Sequence, residues 1–159
     1  MCQFLSEPVA APLQAVRRLA LGHREMFECL ILGDSIGVGT AQAINARAAL
    51  HCDVMAVERA SAKQIRAWRK PAKNYGMTIM AIGSNDPPGR TLQRGLAEIR
   101  RRISTRRVIW LLPHSRPAAY AVASVALIFG DETLDLGRFP TRDRVHPLRY
   151  GDVASALLK

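Results

Sequence analysis

Five short apolar runs, each followed by a stretch of helical spacing, constrain this chain more than any other feature. The runs are MFECLILG (26–33), CDVMAVE (52–58), MTIMAIG (77–83), RVIWLLP (107–113) and TLDLG (133–137). Each reads as a strand, and most are near-continuous apolar segments, as strands covered on both faces are. Between them lie IGVGTAQAINARAAL (36–50), ASAKQIRAWRK (60–70), TLQRGLAEIRRRIS (91–104) and RPAAYAVASVALIFG (116–130), with HPLRYGDVASALLK (146–159) at the end. The second is stopped by Pro71. The third is amphipathic, with Leu92, Leu96, Ile99 and Ile103 on one face. The fourth has Pro117 near its start and Gly130 just past its end, as helix termini prefer. Alternation of this kind predicts an α/β fold, a three-layer α/β/α sandwich around a five-stranded parallel sheet, with right-handed crossovers. Residues 1–25 are expected to form a helical extension, and residues 26–159 a single domain.

In open sheets of this kind, ligands bind beyond the carboxyl ends of the strands. The chemistry-bearing residues fall there. Run one ends in Gly33-Asp34-Ser35, run three in Gly83-Ser84-Asn85-Asp86, and after run five comes Asp143-Arg144-Val145-His146. Serine is a weak nucleophile until a base takes its proton, and histidine is the side chain suited to that near neutral pH. The histidine in turn needs a carboxylate to hold its tautomer. Ser35, His146 and Asp143 supply these three parts, and Asp-x-x-His is short enough for a loop to fold the carboxylate onto the ring. The Ser35 backbone N–H and the Asn85 amide are candidate donors to an oxyanion. Taken singly, each segment has a plainer reading. Gly-Asp-Ser is a turn with a helix cap, Asn85-Asp86-Pro87-Pro88-Gly89 is a loop, and Asp143 and His146 are surface residues. Asp34 is read as shaping its turn by local hydrogen bonds.

The set ILGDSIGVG, IGSND and DRVHP, in that order at successive strand ends, resembles the SGNH or GDSL hydrolases over roughly residues 27–159. The resemblance implies a flavodoxin-like fold and ester hydrolysis with no metal and no cofactor. It makes Ser35 the nucleophile, His146 the base, Asp143 its partner and Asn85 an oxyanion donor. The family's second block carries a glycine whose N–H completes the oxyanion hole. Here that stretch is Glu58-Arg59-Ala60-Ser61-Ala62, without glycine, and Ala62 is the expected counterpart. Arg59 is either a contact for an anionic part of a substrate or a solvated side chain. His114, after run four, is a second candidate substrate contact. The partner expected is a small acyl ester or an acylated carbohydrate.

The formal charge is +10, carried mostly by scattered arginines. Solvated helix faces account for many of them, and the cluster Arg100–Arg102 with Arg106 and Arg107 straddles a helix end, where cations meet the negative pole of the dipole. A polyanion contact is the alternative. Three reactions or roles therefore compete: ester hydrolysis, acyl transfer by the same triad, and non-catalytic binding of glycan or polyanion on a decayed hydrolase fold. A nucleotide binder is disfavoured, since no GxGxxG or Walker-type loop follows a strand. Cys2, Cys29 and Cys52 show no zinc spacing, and Cys29 and Cys52 read as buried reduced thiols. No apolar run approaches the roughly 18–20 residues of a membrane span, and the N-terminal segment lacks the pattern of a signal peptide. A cytoplasmic location is the expectation.

Overall fold

A computed structural model describes residues 28–47 and 50–159. The expected helix over 1–25, with His23 and Cys2, and the first residues of run one lie outside the described residues.

Five strands, β1 (Cys29–Gly33), β2 (Cys52–Ala56), β3 (Tyr75–Ala81), β4 (Thr105–Leu112) and β5 (Glu132–Asp135), form one sheet in the order β2-β1-β3-β4-β5. Every pairing is parallel. Five helices connect and close it: α1 (Ser35–Asn45), α2 (Ala62–Ala67), α3 (Arg90–Arg101), α4 (Arg116–Phe129) and α5 (Tyr150–Leu157), with a 3₁₀ turn at Leu136–Arg138. The strand order is the flavodoxin-like one. It reverses between β1 and β3, and the crevice for ligands opens at that reversal.

Alternate strand residues feed two apolar cores. Leu30, Leu32, Met80, Val108 and Trp110 point to one face, where α2, α3 and α4 cover them with Ile65, Leu96, Ile99, Val122 and Val125. Ile31, Ile79, Ile109 and Leu111 point to the other face, under Ile36 and Ile44 of α1 and Val153 and Leu157 of α5. β1 is buried along its whole length, which is why CLILG has no polar residue. Close approach of β1 to β3 sets its last residue: a Cβ on Gly33 would overlap the Ala81 carbonyl.

The helix signals read from sequence act where expected at the fourth helix. Pro117 sits in the first turn of α4, and Gly130 closes it with φ 68°. α2 is only six residues long and depends on its cap: Ser61 accepts from the Gln64 N–H while the Gln64 side chain reaches back to the Ser61 N–H. The terminal helix begins at Tyr150 and not at 146. Residues 141–147 instead fold back on themselves, with an antiparallel bridge between Thr141 and Pro147 and a 2.7 Å bond from the Leu148 N–H to the Pro140 carbonyl.

The reading of Cys29 and Cys52 as reduced thiols is corrected. The β1–β2 register sets them directly opposite, with Cα atoms 4.6 Å apart, and they are joined as a disulfide. Apolar flanks mark burial but say nothing of register, so the pairing was hidden. A minority of the described basic residues are in ion pairs, among them Arg66–Glu98, Arg100–Asp131, Arg107–Glu132 and Arg116–Asp135. Among the described residues no helix is long and apolar enough to cross a membrane.

Candidate active site

Ser35 is the first residue of α1, separated from the end of β1 only by Asp34. Asp34 caps that helix by accepting from the Ile36 N–H at 2.9 Å, which fixes the turn and aims the serine out of the sheet edge. The capping carboxylate is fully buried, and burial pushes its pKa up to about 6 against the opposing effect of the N–H groups that bind it. Ser35 keeps 8% of its surface exposed.

His146 comes from the folded-back loop at the other end of the chain. Its Nε2 lies 2.8 Å from Ser35 Oγ, across 111 residues of sequence. Its Nδ1 lies 2.6 Å from Asp143 Oδ2. The second oxygen of Asp143 accepts from the N–H groups of Val145 at 2.9 Å and His146 at 2.8 Å, and from Thr141 Oγ1 at 3.1 Å. These bonds, the ring's first among them, hold the Asp143 carboxyl well below the usual carboxylate range. The three residues singled out from sequence thus form one hydrogen-bonded chain.

The expected oxyanion donors fare unequally. Among the described residues the Ser35 N–H has no acceptor. Asn85 stands at the same edge, where its Nδ2 donates to Asp34 Oδ2 at 3.4 Å and to the Ala60 carbonyl at 3.2 Å. Both bonds are long, the first at the limit of a useful one. Ala62 is corrected: its N–H is taken by both oxygens of Asp86 at 3.0 Å, because it opens α2 and its free helix-end N–H is satisfied by that carboxylate. In the same stretch, Arg59 has φ 60°. It is the third residue of a turn closed by a 3.2 Å bond from the Ala60 N–H to the Val57 carbonyl, a position that normally selects glycine. Its own N–H has no acceptor among the described residues. Arginine thus holds here a backbone conformation that favours glycine.

His114 does not line the cleft at Ser35. Its ring nitrogens sit 3.2 Å from the Val145 carbonyl and 3.3 Å from the Phe139 carbonyl, so it braces the loop that carries His146. The cleft itself, about 230 Å³, is lined by Ser35, Val38, Gly39, Gln42, Glu58, His146 and Tyr150. Tyr150 carries no motif. The signal for Tyr150 was Gly39, a glycine inside a helix, which marks close approach: the Tyr150 ring occupies the space a side chain there would need. Burial, with Asp34, Glu58 and Asp143 nearby, pushes the Tyr150 pKa up to about 12.

No protein-family model matches the chain, and no curated protein matches it in sequence. Solved structures do match in three dimensions. A protein described as a lipolytic protein of the G-D-S-L family, from Desulfitobacterium hafniense, superposes with TM-score 0.58 at 16% identity, over 75% of this chain and 83% of that one. A member of the lipolytic G-D-S-L family from Veillonella parvula superposes with TM-score 0.59 at 17% identity, over 82% and 96%. The fold is that of the GDSL hydrolases. The likeness is one of fold and extends over 75–82% of this chain.

Proposed function

We propose that this GDSL-like chain is a serine ester hydrolase in which Ser35 is the nucleophile, His146 the general base and Asp143 its orienting partner. The observation that carries the reading is the unbroken chain from Ser35 Oγ to His146 Nε2 at 2.8 Å and from Nδ1 to Asp143 Oδ2 at 2.6 Å. Ser35 Oγ attacks the ester carbonyl carbon as its proton passes to Nε2. Asp143 holds Nδ1–H and stabilises the imidazolium. The tetrahedral oxyanion is held by the Ser35 N–H, by the Arg59 N–H in place of the Ala62 N–H, and by Asn85 Nδ2, which gives up its 3.4 Å bond to Asp34 to do so. His146 returns the proton to the leaving alcohol. Water, activated by the same ring, then releases the acyl group from Ser35.

The cleft of about 230 Å³ suits a short acyl group. Gln42, Glu58 and the Tyr150 ring at its rim suit a hydroxyl-rich alcohol, which favours an acylated sugar. Activity on a short-chain aryl acetate tests the reading. Ser35→Ala should remove turnover while the protein stays folded, and a fluorophosphonate should label Ser35 in the unmodified chain. Turnover retained in Ser35→Ala, or a fluorophosphonate adduct elsewhere, would refute it.

A further inference from the structure

A cavity of about 400 Å³, larger than the cleft at Ser35, lies beside it in a groove between α2 and α3. Its walls carry Lys63, Arg66 and Arg90, over a floor that includes Leu92 and Gly95. Arg66 pairs with Glu98 at 3.1 Å. Among the described residues, Lys63 and Arg90 have no carboxylate within ion-pair distance. One carboxylate faces the groove, that of Asp86, and the Ala62 N–H holds it at the inner end.

The placement of Arg90 costs local stability. It is the first residue of α3, the end of a helix where a cation is disfavoured. That first turn holds no acidic residue, and no side chain caps it. Local rules broken without compensation inside the fold are expected where a ligand supplies the compensation. The groove also continues the candidate active site on two loops at once. Asn85, whose amide meets Asp34, is followed directly by Asp86 and Pro87 of the groove. Ala60, whose carbonyl accepts from Asn85, is followed two residues later by Ala62 and Lys63.

We propose that this groove binds the anionic chain of an acidic polysaccharide, with Lys63 and Arg90 on its carboxylates, so that an ester on the same chain is presented to Ser35. The inference rests on the hydrolase reading for the ester, but not for the binding. An extended polymer fits because Lys63, Pro87, Pro88, Arg90 and Thr91 are all exposed, leaving the groove open at its outer rim.

The test uses the full chain carrying Ser35→Ala and calorimetric titration with an unesterified polyuronate, its monomer and a neutral glucan. The polyuronate should bind at least about tenfold tighter than the glucan, and more weakly as salt rises. Lys63→Gln/Arg90→Gln should weaken polyuronate binding by about tenfold or more and leave glucan unaffected. Equal binding by the double variant, or equal binding of glucan, would overturn the groove; monomer binding as tightly as polymer would overturn the extended ligand. In the chain with Ser35 intact, the same double variant should raise KM for an O-acetylated polyuronate with kcat unchanged, and leave aryl acetate turnover as it was. Loss on both substrates would instead show that the two side chains support the catalytic centre and overturn the assignment. If no ester is turned over while polyuronate still binds through Lys63 and Arg90, the hydrolase reading fails and the groove stands.

Discussion

Asp143 binds the ring of His146 through one carboxylate oxygen and the backbone N–H of the same residue through the other. One side chain therefore sets both the loop that presents the histidine and the tautomer the histidine adopts. The two roles separate by substitution. Asp143→Asn keeps an acceptor for the loop N–H groups but turns an amide N–H toward Nδ1, which disfavours the tautomer with a free Nε2. Ester turnover should fall by about a thousandfold to ten-thousandfold with the melting temperature little changed. Asp143→Ala removes the loop contacts as well, and should lower both turnover and thermal stability. A fall of under tenfold for Asp143→Asn would separate Asp143 from the reaction.

The pH dependence follows from the same carboxylate. Its pKa is lowered in the fold, first by the His146 ring and then by the His146 and Val145 N–H groups. A lowered pKa gives an interaction complete above the ordinary carboxylate value and lost as pH falls through the lowered one. Asp143 thus stays ionised below the ordinary carboxylate range, so its protonation should not appear on the acid limb of kcat/KM. An ionisation on that limb that is present in the parent and absent from Asp143→Asn would contradict this.

How much of this was legible in the residues depends on which interaction sets each feature. The strands of the buried sheet were, because CLILG and VIWLL must be apolar on both faces. Ser35, Asn85, Asp143 and His146 were, because parallel strands put every strand end on one edge. What turns on backbone angles was not. Arginine carries no propensity for positive φ, so nothing in ERASA marks Arg59 as the residue in a glycine's conformation. Register was equally hidden: a one-residue shift would separate Cys29 from Cys52. His114 looked like an edge residue facing a ligand. The loop of residues 139–146 instead folds over it, with its ring nitrogens on the Val145 and Phe139 carbonyls.

Arg59 gives a stability prediction of unusual sign. A side chain at φ 60° costs about 1 kcal/mol relative to glycine. Arg59→Gly should raise stability by roughly that amount, read as a higher denaturation midpoint at unchanged slope, and should leave aryl ester turnover at least equal, since the backbone N–H stays. Arg144, at φ 62° between Asp143 and Val145, should respond in the same direction. A lower midpoint for Arg59→Gly would mean that its side chain contributes more than the backbone conformation costs.

Asp34 should make the fold less stable toward neutral pH. Its pKa rises from 3.8 to about 6 in the fold, chiefly through burial. A raised pKa means that stability is fully present below the unfolded value and lost as pH climbs through the folded one. Denaturant unfolding should therefore show stability falling between about pH 4 and 6, by up to about 3 kcal/mol for a shift of this size. Asp34→Asn keeps an acceptor for the Ile36 N–H without the buried charge, so its profile should lack this fall and lie above the parent at pH 7. Parallel profiles for the two proteins would place the pH dependence elsewhere.

Gly39 and Tyr150 couple α1 to the start of α5 beside the cleft. A Cβ on Gly39 would lie closer than 3.0 Å to the Tyr150 ring. Gly39→Ala must displace that ring, and overpacking of this kind costs about 1–3 kcal/mol. Because the ring lines the cleft with Ser35 and His146, the displacement should also raise KM for an aryl ester. Tyr150→Leu in the Gly39→Ala background frees the space, so the double variant should recover most of the stability lost by Gly39→Ala while KM stays high, since the rim has lost its aromatic face. Measuring both properties in all four proteins closes the cycle. A stability cost of Gly39→Ala that persists in full in the Tyr150→Leu background would show that the clash is not with the ring.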